Sequence, residues 1–221
     1  MDAIRASNAI SDLAGKEPGI NEALLRVSLQ LFSTQGFRAT SVRDIARAMG
    51  TSVSVMYYYA ASKEALLSEL MRLDLQWLIG RAHVALRGAS DPAGQIRALV
   101  HTHVVRDEDG MHLLVLSDGE IRSVPSGDIA RIVALRDEYE MLWRRTIVTG
   151  MARGAFDVED PKLAAFALLD MCNGVARWFS PKGELTVGEI ANRLARYAIN
   201  LLTTHEPSPT RGAATGGPIS S

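Results

Sequence analysis

The chain has 221 residues, 47% of them apolar, and its 24 basic and 25 acidic side chains leave a formal net charge of −1. That is ample for one generous buried core, or for a small domain beside a larger one. A lone cysteine, Cys172, excludes an internal disulfide and suits a reducing cytoplasm. No run of about 18 uncharged apolar residues argues for a membrane span, and Met1 to Lys16, with Asp2 and Asp12, does not read as a signal peptide.

The charge is unevenly spread. Residues 20–63 hold Arg26, Arg38, Arg43, Arg47 and Lys63 against Glu22 and Asp44, a net +3. Residues 64–221 hold 17 basic and 20 acidic side chains, a net −3. Phosphate contact needs such a basic end, although three charges alone are a modest signal.

In chain order, residues 1–18 are predicted to be a disordered tail. Ile20, Leu24, Val27, Leu31 and Phe32 then form an apolar helical stripe closed by Gly36. Ser41 can cap a second helix, with Asp44 completing an acidic capping box, and Gly50 breaks it. Ser52 to Tyr59 reads as a third helix, and Ser62 caps a long fourth one running to about Arg87. Asp91-Pro92 and Asp160-Pro161 are helix starts, a cap followed by proline in the first turn. The first of these opens another helix; the second opens Leu163 to Phe179, which stops at Pro181. Thr186 begins a last helix with Val187, Ile190, Ala191, Leu194, Ala198 and Leu201 on one side. Residues 206–221, rich in Pro, Ser, Thr and Gly, are too polar to offset ordering entropy and are predicted to be a second disordered tail. No alternating strand pattern occurs, so the expected class is all-α. The expected division is a helix–turn–helix domain at 19–65 and a larger helical domain for effector binding and dimerisation at 66–205.

The helices around Gly50 have the layout of a helix–turn–helix, whose second helix enters the major groove while the first crosses the backbone. Arg43 lies in the first turn of the crossing helix, where a guanidinium and backbone N–H groups can share a phosphate, and Lys63 holds a similar place on the fourth helix. Ser52, Val53, Ser54 and Val55 are small enough for close approach; Val55 can meet a thymine methyl, and Ser52 or Ser54 can offer a hydroxyl to a base. Tyr57, Tyr58 and Tyr59 cannot all face the core, because successive helical positions lie about 100° apart, so at least one phenol is free for phosphate. Met56 and Ile45 read as core.

The blocks Thr40-Ser41-Val42-Arg43-Asp44-Ile45-Ala46, Gly50, Met56-Tyr57-Tyr58-Tyr59 and Ser62-Lys63-Glu64 resemble the N-terminal signature of the tetracycline-repressor (TetR) family. The resemblance implies an all-helical homodimer that binds DNA through its N-terminal domain and an effector through its C-terminal one. It also implies DNA contacts by Tyr57, Tyr58, Tyr59 and Lys63. Thr51, Val53, Tyr59 and Ala60 depart from the family pattern. Ala60 is expected to loosen packing between the third and fourth helices, and Val53 and Tyr59 unsettle any inherited operator preference.

In the larger domain, Asp128 to Gly150 places Ile129, Ile132, Val133, Trp143 and Ile147 on a stripe that also holds Arg136 and Glu140. Such an arginine either meets a ligand carboxylate or phosphate or pairs internally, with Glu140 as the natural partner. Leu163 to Phe179 is apolar nearly all round, as a helix buried on two sides must be. Leu168, Leu169, Cys172, Val175 and Phe179 lie on one side, and Phe166, Asp170, Gly174, Arg177 and Trp178 on the other. With the Thr186 helix it can form a four-helix dimer interface. The stretches Gly150 to Phe156 and Trp178 to Thr186 resemble, less specifically, a TetR branch that answers to acyl-CoA thioesters or similar lipid-like acids. Met111, Leu113, Leu114, Trp143, Phe166, Met171 and Trp178 can line an apolar slot, with Arg136 and Arg177 as its charged contacts; each of the apolar ones, taken singly, reads more readily as plain core. Cys172 reads as a small core residue, with redox sensing as the alternative.

His101 and His103 are two apart and do not make the i, i+4 zinc pair. Asp107, Glu108 and Asp109 read as a solvated loop. No phosphate loop, nucleophile elbow or cysteine–histidine cluster is present, so neither catalysis nor a metal or cofactor is expected. The reading is a cytoplasmic, homodimeric, ligand-responsive transcriptional repressor on a near-palindromic operator in double-stranded DNA, released by a small hydrophobic or acyl-CoA-like effector and with no membrane partner. The alternatives are a regulator governed by a protein partner or acting constitutively, and an activator.

Overall fold

A computed structural model describes residues 22–106, 120–180 and 182–203. The expectations for both tails, Ile20, Asp107 to Asp109, Met111, Leu113 and Leu114 lie outside those residues. Among the described residues every regular element is helical: α1 (Glu22–Gln35), α2 (Val42–Ala48), α3 (Val53–Tyr59), α4 (Lys63–Arg87), α5 (Pro92–Val104), a single 3-10 turn (Ile121–Ser123), α6 (Ser126–Ala152), α7 (Pro161–Asn173), α8 (Val175–Trp178) and α9 (Val187–Thr203). The all-α expectation holds.

Short-range chemistry sets the boundaries. Gly36, at φ +89°, turns the chain out of α1 in a left-handed conformation that costs glycine nothing. Ser41 and Asp44 close a reciprocal capping box, with Asp44 N donating to Ser41 Oγ at 3.2 Å and Ser41 N to Asp44 Oδ2 at 3.0 Å. The Ser41 hydroxyl bond holds the Asp44 carboxyl below the usual aspartate range. Gly50, at φ +65°, makes the corner before α3. Ser52, Ser62, Asp91 and Asp160 each accept from backbone N–H groups of the helix that follows. Thr186 and Glu189 form a second reciprocal pair before α9.

Two apolar cores share α4, whose 25 residues span roughly 37 Å. The first core joins Leu24, Leu25, Leu29 and Phe32 of α1 to Ile45, Met56, Leu66, Leu67 and Leu70, and it extends past the motif to Val124 and Ile132. The second gathers Leu78, Ile96, Leu99, Val100, Trp143, Ile147, Leu168, Cys172 and Ala198. In the body α5 packs against α9, α4 and α6, and α7 lies on α6.

Two local features differ from the sequence reading. The predicted Leu163 to Phe179 helix is interrupted at Gly174, which keeps helical dihedrals (φ −55°, ψ −29°) but separates α7 from α8. Glycine is a poor helix former, and here it interrupts the regular ladder. The stretch Gly150 to Phe156, read above as a family feature, has a packing task. The Phe156 ring lies on Gly150 where a Cβ would stand, Gly154 reverses the chain at φ +69°, and Asp157 N donates to Leu202 O of α9 at 2.8 Å.

Candidate functional site: reading head and cavity

The head presents α3 outward. Met56 and Ile45 are buried between α1, α2 and α3, as expected of core. Ser52 and Ser54 are exposed, as are Val55 and all three tyrosines, Tyr58 most of all at 84%. Tyr58 and Tyr59 meet edge to face, 5.1 Å between centroids, which orders two phenols on an open surface. The helix carries no charged side chain, so phosphate attraction falls to its neighbours. Arg26 pairs with Glu22 at 2.6 Å and Arg47 with Asp44 at 3.2 Å. Arg38 and Arg43 are exposed, and Arg43 sits in the first turn of α2.

Lys63, expected as a phosphate contact, is held within the head. Its Nζ donates to Phe37 O and Thr40 O, both at 3.0 Å, and to Arg38 O at 3.5 Å, and it lies 4.5 Å from the centre of the Phe37 ring. All three ammonium protons meet carbonyls of the α1–α2 corner. The first turn of α4 is thereby fastened to the head. The looseness expected at Ala60 appears elsewhere. Ala60 is buried, and a cavity of about 190 Å³ lies behind the recognition helix, lined by Leu24, Met49, Thr51, Val55, Met56 and Tyr59.

The body holds a cavity of about 340 Å³ between α4, α5, α6 and α7. Its buried end is polar. His103 Nδ1 lies 3.1 Å from the Tyr139 hydroxyl, and Nε2 lies 2.9 Å from Asn173 Oδ1. Arg106 Nη1 donates to Asp74 Oδ1 at 2.6 Å and its Nε to His103 O at 2.9 Å. Burial, reinforced by the Arg106 charge, lowers the His103 pKa to about 3, so the ring is neutral near pH 7. Burial likewise raises the Tyr139 phenol well above its ordinary value. Leu75, Leu78 and Leu169 form apolar walls, and Val133, Arg136, Asp137, Phe166 and Asp170 line its more exposed side.

Of the expected effector contacts, Arg136 and Phe166 line this cavity. Trp143 is fully buried behind it, edge-on to His103 and Tyr139 at 6.2 and 6.3 Å. Met171 is half-buried against the second core, and Arg177 and Trp178 are exposed away from the cavity. Phe166 and Asp170, from one predicted side of the helix, and Leu169, from the other, all border it. Glu140 faces Arg144, with 3.3 Å between Oε1 and Nε at an angle that makes no hydrogen bond, so it is not simply the counter-ion of Arg136. Cys172 is wholly buried and its thiol is pushed up to about 12, which removes the thiolate that redox sensing needs. The sequence reading missed Asp74, His103, Arg106, Tyr139 and Asn173. Asp74 carried a signal, because it interrupts the apolar spacing of Leu67, Leu70, Met71 and Leu78 much as Arg136 does on α6. Among the described residues no group of three or more His, Cys, Asp and Glu is placed to hold a metal, and no helix is long and apolar enough to cross a membrane.

A helix–turn–helix head fastened by one long helix to an α-helical body with an internal cavity defines a DNA-binding regulator. Residues 24–70 match the family described as bacterial regulatory proteins, tetR family, and residues 89–202 match the tetracyclin repressor-like C-terminal domain. The chain belongs to the TetR family of transcriptional regulators, whose members are not enzymes. It is 29% identical over 195 residues to the HTH-type transcriptional repressor KstR2 of Rhodococcus jostii, covering 87% of this chain and 95% of that one. The TetR family regulator PfmR of Thermus thermophilus superposes with a TM-score of 0.74 at 31% identity, over 83% of this chain and 99% of that one. AibR in complex with isovaleryl coenzyme A and operator DNA superposes with a TM-score of 0.71 at 22% identity, over 81% and 96% of the two chains.

Proposed function

We propose that the protein is a dimeric cytoplasmic repressor that holds a near-palindromic operator until a small effector enters the body cavity. The observation that carries this reading is the course of α4. The helix starts at Lys63, which grips the α1–α2 corner, and Asp74, eleven residues on, lines the cavity, a separation of roughly 16 Å along one rigid element. A ligand that shifts α4 at Asp74 therefore also tilts the reading head. Ser52, Ser54, Val55, Tyr57, Tyr58 and Tyr59 read the groove, and Arg43 holds phosphate. Half-sites fall one helical turn apart, roughly 34–36 Å, or at a wider multiple. Coupling of about 1–3 kcal/mol is enough for release.

Several observations support the dimer and the effector class. Leu163, Trp178, Tyr197 and Leu201 are large and exposed on α7, α8 and α9, the helices that would make a four-helix contact with a second copy. The similar KstR2 is a repressor, and the neighbouring AibR binds an acyl-CoA. The cavity, about 340 Å³, stands near the small end of ligand pockets, so it takes the acyl end of a thioester or a compact lipid-like molecule. Footprinting of the DNA beside the gene, followed by a panel of acyl-CoAs, tests the proposal. Loss of the footprint with one member supports it. A footprint that every member leaves intact speaks for a regulator without a small-molecule effector.

A further inference from the structure

With the Asn173 amide oxygen turned to His103, the buried end of the cavity has one consistent pattern of protons. Neutral His103 carries a single N–H, and Asn173 Oδ1, an acceptor, stands 2.9 Å from Nε2, so the proton is on Nε2. Nδ1 then accepts from the Tyr139 hydroxyl at 3.1 Å. The chain of bonds runs Tyr139 to His103 to Asn173 and uses both ring nitrogens, the phenol proton and the amide oxygen. What remains is the Asn173 Nδ2 group, which has no acceptor among the described residues and belongs to a side chain that lines the cavity.

Charge around this group selects what it can hold. Asp170 lies one turn before Asn173 on α7, and Glu140 follows Tyr139 on α6; both line the cavity with Asp137. Asp74 already engages Arg106 in a buried pair. Of the two cations among the described lining residues, Arg106 is committed to Asp74 and Arg136, itself engaged, stands on the more exposed side with Asp137. An anion beside Asn173 therefore meets carboxylates and an uncharged hydrogen-bonding chain, whereas a neutral acceptor meets two amide protons.

We propose that Asn173, held by His103 and Tyr139, is the specificity-determining contact of the effector, and that its Nδ2 donates to an uncharged carbonyl oxygen, a ketone or the carbonyl of a thioester. The apolar remainder of the ligand lies against Leu75, Leu78, Leu169 and Phe166. This deepens the proposal that the cavity is the effector site, and it rests on that reading.

The test follows nitrogen–proton NMR signals of the full-length protein with small probes at millimolar concentration. The Asn173 side-chain amide, assigned by its loss in Asn173→Asp, reports on the carbonyl. The Trp143 indole N–H, behind the cavity, reports on filling by any probe. Cyclohexanone and S-ethyl thioacetate separate ketone from thioester, methylcyclohexane supplies shape without oxygen, and cyclohexanecarboxylate supplies the anion. The expected result is movement of both signals with at least one carbonyl probe and of the Trp143 signal alone with methylcyclohexane. Asn173→Asp keeps the acceptor for His103 and removes the donors. It should weaken the carbonyl probe roughly five- to tenfold while leaving methylcyclohexane unchanged. Equal movement of the Asn173 signal by methylcyclohexane, tighter binding of the carboxylate than of either carbonyl probe, or silence of both signals under every probe would overturn the assignment. Operator release by acyl-CoAs is measured separately, so a failure of the carbonyl contact and a failure of the effector reading are distinguishable.

Discussion

Arg43 and Lys63 occupy the same kind of address, the first turn of a helix in the head, yet their surroundings give them different work. Arg43 is exposed, whereas the Lys63 ammonium is held by three backbone carbonyls. Arg43→Ala should weaken binding to every DNA sequence and reduce the slope of log affinity against log salt by about 0.9, one phosphate contact; an unchanged slope in anisotropy titrations would remove it from the interface. Lys63→Met should instead lower stability by about 1.5–3 kcal/mol in urea melts, since three carbonyls lose a charged donor. His103 gives a pH dependence. Its folded pKa, about 3, lies below the ordinary 6.5, with the Arg106–Asp74 pair and the Tyr139 phenol around it. The unfolded chain therefore binds a proton that the folded chain refuses, and stability falls as pH drops from about 6.5 towards 3. The slope contributed is at most about 1.4 kcal/mol per pH unit. His103→Gln should flatten the fall between pH 7 and 5; identical urea midpoints for wild type and variant across that range would refute it.

At the scale of elements, the bend after α6 depends on one absent side chain. Gly150→Ala places a methyl inside the Phe156 ring, and overpacking of this kind costs about 1–3 kcal/mol. Phe156→Leu in the same chain should recover part of the loss, and a double-mutant cycle in urea measures the coupling. Additive losses would mean that the two positions do not touch. The helix starts were legible in the sequence because each is a local transaction: Ser41 with Asp44, Ser62 with Ala65, Asp91 and Asp160 with the amides just past their prolines. The cavity was not, because its polar end joins His103 to Tyr139 and Asn173, which lie 36 and 70 residues away. Choosing lining residues by type found Phe166 but not Asn173, for the same reason. Trp143 is large and apolar, and packing draws it into the core, while Asn173, polar and unremarked, faces the space. The outward face of α3 was readable because three consecutive tyrosines leave a helix no way to bury them all.

At the scale of the whole molecule, the proposed function calls for two copies. Members of the family act on operator DNA as dimers, and Trp178 and Leu201, exposed by 57% and 46%, lie on the surface proposed to seat a second copy. Trp178→Asp with Leu201→Asp should give a monomer in sedimentation. Affinity for a full operator should then fall to that for a single half-site; a variant that still sediments as a dimer would move the interface elsewhere. The reach of the first core beyond the head has a practical corollary. Val124 and Ile132 belong to the same apolar core as Leu66 and Leu70, so residues 22–65 are not a detachable cassette. A chimera spliced at that point would meet a foreign hydrophobic seam, and retargeting to a new promoter is better done by rewriting the outward positions of α3 in place.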